Sequence, residues 1–189
     1  IRPADIQIDT LGINVSENTK HKAVLLYDTE QSEVQLFKNV TNLIKRAKQT
    51  DKPDEFKAFC LTGMSRKERL HAIVQSMDRY YFQYGGIQLV VIDGIADLVR
   101  CANDEAESVA IIDELYRLAG IYKTCIICVL HFIPNGLKLR GHLGSELQRK
   151  AAAILSIEKD EDPAMSVVKA LKVRDGSPLD VPLMLFSWD

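Results

Sequence analysis

The sequence has no apolar run approaching the ~18 residues that suggest a membrane-spanning helix. It shows no secretory leader with a charged start, an apolar stretch and a small-residue cleavage site. It also lacks a basic excess: 24 Lys and Arg against 26 Asp and Glu give a formal net charge of -2. That excludes a global positive field, so any nucleic-acid contact has to come from local cations. Repeats, low-complexity tracts and linker-like stretches are missing. Cysteine is scarce, with only Cys60, Cys101, Cys125 and Cys128. Cys125-Ile-Ile-Cys128 has the spacing of a metal or redox pair. The surrounding TCIICVLHF reads as a strand, however, and strand residues three apart face opposite ways. Both thiols are therefore expected as small buried hydrophobes in a reducing, cytoplasmic setting.

What the chain does have suits one globular domain. Its 189 residues are 47% hydrophobic and 26% charged, enough to bury roughly two thirds of the unfolded surface. Apolar runs predict strands at 23–28, 56–61, 87–93, 124–131, 154–160, 165–175 and 181–186. Helical spacing predicts helices at 30–49, 65–84, 104–122 and 145–153, with a long loop at 132–144. In the first helix the apolar face is read from Val34, Phe37, Val40 or Thr41, Ile44 and Ala47. Ser65 and Glu68 form a capping-box pattern, and the helix at 104–122 opens with acids. Strand and helix alternate over the first two thirds, which implies an α/β fold with a mostly parallel sheet covered on both faces. The last third reads as an antiparallel extension.

Ligands of open parallel sheets bind beyond the carboxyl ends of the strands. Three such ends carry polar groups here: Asp28-Thr29-Glu30 after AVLLY, Asp93 after LVVI, and His131 after IICVL. An acid pair, another acid and an imidazole on one rim could hold a divalent cation and activate a water. Singly, each has a plainer role: Asp93 as a turn cap, Glu30 as a first-turn helix acid, His131 as a packed histidine.

The ordered segments AVLLYDTEQS, IQLVVIDGIADL, TCIICVLHF, LRGHLGSELQRKAAAILSIEKD and ALKVRDGSPLDVPLMLF resemble the RecA-like core of P-loop NTPases. The resemblance runs from about Ala23 onward and is nearest to hexameric helicases of the DnaB and RepA type. It implies a three-layer α/β fold and an ATPase working as a homo-oligomeric ring. It implies that Asp93 holds Mg²⁺ through water, that Glu30 polarises the attacking water, and that His131 senses the γ-phosphate. Lys172 and Arg174 match the Lys-x-Arg pair that reaches a neighbouring subunit's ATP. Lys138 and Arg140 become contacts to single-stranded DNA in the channel loop.

The sequence departs from that family in one large way. No G-x-x-x-x-G-K-[ST] occurs, nor any Gly-Lys pair. The sensor position holds a histidine where the helicases mostly carry glutamine or asparagine. Two explanations stand. The chain starts at Ile1 and is a piece that begins after the phosphate-binding loop, or it is a non-catalytic RecA-like module that acts in assembly or regulation of DNA mobilisation. In either case the central strand has to come from an upstream segment or another chain, because its absence would leave backbone groups unpaired. A different doubly wound protein, a metal-dependent hydrolase or receiver with Asp28 and Asp93 as its acid pair, is the third reading.

Overall fold

The computed structural model describes residues 16–132 and 141–187. The elements are β1 (Ala23–Asp28), α1 (Glu33–Arg46), β2 (Phe56–Cys60), α2 (Arg66–Tyr84), β3 (Ile87–Asp93), α3 (Glu105–Tyr122), β4 (Cys125–Val129), α4 (Gly141–Lys150), β5 (Ala153–Lys159), β6 (Met165–Val173) and β7 (Met184–Ser187). A 3-10 turn at Ile95–Leu98 follows β3. The fold is α/β, with a four-stranded parallel sheet ordered β2-β1-β3-β4 and a separate antiparallel sheet ordered β5-β6-β7. The contacts divide into two compact units, one holding residues 17–147 and the other running from Gln148.

Local chemistry sets the helix ends. The Ser32 hydroxyl accepts the Gln35 N–H at the start of α1. The Glu68 carboxylate accepts the Ser65 N–H at the start of α2, the arm of the capping box that reaches back. Gly85, at φ +66°, ends α2 in the left-handed region. The Asp104 carboxylate accepts the Glu107 N–H at the start of α3.

The main core of the first unit lies on the sheet face of Ala23, Leu25 and Tyr27, with Ile73 and Met77 of α2 and Ile111, Leu115 and Leu118 of α3. Tyr27 stacks on Phe59, and its hydroxyl lies 2.7 Å from the Ser76 hydroxyl. Phe56 is in register with Val24, so it points to the opposite face. Leu36, Ile44, Ala47 and Phe56 are buried outside the main cluster, and α1 contacts β2. Ile44 and Ala47 are buried as the spacing predicts, but Leu36 replaces Val34 and Phe37 on the covered face, which corrects the first half of the expected stripe. Helix α1 carries two apolar stripes, and packing against β2 selects the one through Leu36 and Ile44. Val34 and Phe37 stay 66% and 72% exposed.

Two further differences matter for the site. The last three strands pair with one another and form their own sheet, so among the described residues β4 ends the parallel sheet. The expected loop at 132–144 gives way to α4 from Gly141. Gly141 sits at φ +63°, and a Cβ there would lie 2.4 Å from the Ala102 carbonyl oxygen. The Leu143 N–H donates to that carbonyl, and the Leu143 side chain is fully buried. The start of α4 is thereby held against the stretch before α3.

Candidate functional site

Parallel register brings the acids together. Asp28 pairs with Asp93, and Asp93 with Val129, at the carboxyl ends of β1, β3 and β4. In-register neighbours point to the same face, so both carboxylates leave the same side of the sheet. Asp28 is buried and Asp93 half-buried.

Asp28 has a structural task that its sequence position does not announce. One carboxylate oxygen accepts the N–H groups of Glu30 at 3.0 Å and Gln31 at 2.8 Å. This Asx-type turn bends the chain off β1 and sets the backbone of Glu30. Thr29 ties the turn to the neighbouring strand. Its N–H donates to the Asp93 carbonyl, and its hydroxyl to the carbonyls of Asp93 and Gly94. Glu30 then meets His131 from the end of β4, with His131 Nε2 3.1 Å from Glu30 Oε2. The fold thus joins Asp28, Glu30, Asp93 and His131 at one rim, as the strand ends suggested.

The electrostatics follow from that crowding. Burial pushes the Asp93 carboxyl above its ordinary value, and the negative charges of Asp28 and Glu30 push the same way, while His131 opposes them. A cation at Asp93 would relieve this repulsion. The oxygen donors suit Mg²⁺, which keeps several waters and needs one or two carboxylates plus phosphate oxygens. A closed protein cage is not present: among the described residues no group of three or more His, Cys, Asp or Glu side chains is arranged to hold a metal ion.

Arg69 braces the rim from α2, and sequence reasoning missed it. Its guanidinium donates to the carbonyls of Leu61, Met64, Thr62 and Asp97 and lies 3.4 Å from the Asp97 carboxylate. The loop after β2 is thereby fastened to the 3-10 turn that follows Asp93. Arg66 Nη1 donates to both carboxylate oxygens of Glu107, joining α2 to α3. No motif marks either contact, because the partners are backbone carbonyls or lie 41 residues away.

The remaining candidates fall elsewhere. Lys138 and Arg140 lie outside the described residues. Lys172 and Arg174 belong to the second unit, where both donate to carbonyls at the end of α4. A cleft of about 820 Å³ runs along β2 and α2, lined by Phe59, Thr62, Arg79 and Tyr80 among others, with neither Asp93 nor Glu30 on its wall. Cys125 is exposed, whereas the Cys128 thiol is pushed up to about 12 by burial. The expected burial therefore holds for Cys128 and not for Cys125, because the two alternate across β4 and only one face of that strand is covered. No family model and no curated protein matches the chain.

Proposed function

We propose that this chain carries the magnesium and water-handling side of a RecA-like nucleotide site, and that the complete protein is an ATPase coupled to DNA handling. The carrying observation is the rim itself: Asp28 and Asp93 in register, with Glu30 and His131 in contact across the same strand ends. In this reading Asp93 would hold Mg²⁺, and the ion would supply positive charge against the phosphates of ATP. Asp93 holds the ion's water shell. Glu30, fixed by Asp28, orients the attacking water, and His131 contacts the γ-phosphate. The reading includes a cytoplasmic homo-oligomeric ring in which Lys172 and Arg174 act on a neighbour's ATP. Lys138 and Arg140 would then touch phosphates of single-stranded DNA.

The phosphate-binding strand and loop come from an upstream segment or from another chain. What supports this is the edge at β4. Beside it the sheet face leaves Ile127 47% and Val129 36% exposed. An added parallel strand would pair the open backbone, and the helix after it would cover this face. The test is ATP turnover by protein supplied with that segment. Asp93→Ala and Glu30→Gln should each lower kcat by about 10³-fold or more. Full turnover in Asp93→Ala would overturn the proposal.

A second reading is a non-catalytic module in assembly or regulation. The absence of any Gly-Lys pair in the chain favours it. It predicts that Asp93→Ala protein assembles and supports DNA mobilisation as well as the unaltered protein does.

A further inference from the structure

Lys172 lies near the end of β6, and Arg174 is the first residue beyond that strand. Register places that end beside the start of β5, with Ala153 opposite Val173 and Ile154 opposite Lys172. The Arg174 N–H donates to the Ala152 carbonyl. Only Ala151 and Ala152 separate α4 from β5, so the two cations arrive at the carboxyl end of α4.

The last carbonyls of a helix have no partner within the helix, and they form the negative end of its dipole. Here three consecutive ones are taken. Lys172 Nζ donates to the Gln148 carbonyl at 2.5 Å and to that of Arg149 at 3.3 Å. Arg174 Nη2 donates to the Lys150 carbonyl at 2.8 Å. All of these residues lie in the second unit. The last turn of α4 is itself basic, with Arg149 and Lys150. Full positive charges are therefore gathered on partial negative ones. A phosphate, with full charge and several acceptor oxygens, competes well for such cations.

We propose that this contact is an autoinhibitory clamp. In the free chain Lys172 and Arg174 cap the carboxyl end of α4, and a phosphate group has to draw them off before they can act on a nucleotide. The clamp rests on the trans role described above for the activity it holds back and for the identity of that phosphate, whereas the contact and its release by phosphate do not.

Amide hydrogen exchange on the 189-residue chain tests it. Replacing both cations, Lys172→Met with Arg174→Met, should speed exchange in the last turn of α4 by about tenfold. Lys172→Arg alone, which keeps a donor, should preserve protection. Inorganic tripolyphosphate, at ionic strength matched with chloride, should speed exchange there in the unaltered chain and leave the double variant unchanged. Equal exchange in the double variant and the unaltered chain would overturn the clamp. Unchanged or slowed exchange with tripolyphosphate would overturn its release by phosphate. Failure of the ATPase reading would show separately, as no ATP turnover by the complete protein, and would leave the exchange result intact.

Discussion

Thr29 and Gly94 meet at the top of β1 and β3, where the Thr29 hydroxyl donates to the Gly94 carbonyl at 2.8 Å. Gly94 holds φ +87°, and a Cβ there would lie 2.3 Å from Thr29 Oγ1 and 2.6 Å from Glu30 Cγ. Asp-Gly after an apolar strand is thus a close approach of backbone to side chain, and it determines where Glu30 can stand.

Gly94→Ala combines an unfavourable backbone conformation with that collision. We expect a loss of about 2–4 kcal/mol in unfolding free energy. Urea denaturation measures it. A loss under about 0.5 kcal/mol, the usual size for a surface change, would contradict the close approach.

Asp28 serves two N–H groups with one oxygen. Asp28→Ala leaves both without their acceptor at a buried position and should cost about 2–3 kcal/mol. Asp28→Asn keeps an acceptor in place and should cost clearly less. Paired denaturation curves of the two variants give the comparison, and equal losses would remove the Asx turn from the account.

Asp93 supplies a pH dependence of known sign. Its folded-state carboxyl value is raised, mainly by burial and then by Asp28 and Glu30. The folded protein therefore binds this proton more tightly than the unfolded chain does. That contribution is complete below the ordinary carboxylate range and is lost as pH rises through the raised folded value. Asp93→Asn removes the dependence. The stability of the variant relative to the unaltered chain should rise between about pH 4 and pH 7. A constant difference across that range would rule out the raised value.

Leu143 is fully buried near the start of α4. Leu143→Ala should cost about 2–5 kcal/mol. A small loss on thermal or urea unfolding would mean that the amino end of α4 does not dock on the Ala102 stretch.

Native thiol labelling checks the reading of the cysteines. Cys101 and Cys125 are exposed, while the Cys128 thiol is held protonated by burial. A thiol reagent at neutral pH should modify Cys101 and Cys125 quickly and Cys128 only as the protein unfolds. Fast labelling of Cys128 would contradict the strand alternation.

Much of the fold was legible in the sequence for a physical reason. Apolar runs bounded by turn residues define strands, so β1 spans Ala23–Asp28 and β3 Ile87–Asp93 as the pattern predicts. A parallel sheet sends successive strand ends to one rim, which is why the sequence alone groups Asp28, Asp93 and His131. The sequence alone also determined that Cys125 and Cys128 face opposite ways, because strand periodicity is two.

Other features depended on distant partners, which no local pattern carries. The stripe of α1 that is buried was chosen by β2, which left Phe37 outside. Arg69 found its role through carbonyls brought near by the loop after β2 and by the 3-10 turn. Asp28 became the residue that sets Glu30 only once the chain turned off β1. Lys172 and Arg174 match a Lys-x-Arg pair in the sequence, and only tertiary structure put the end of a helix beside them. Periodicity encodes which face a residue takes within its own element, but what waits on that face is decided by packing between elements far apart in the chain.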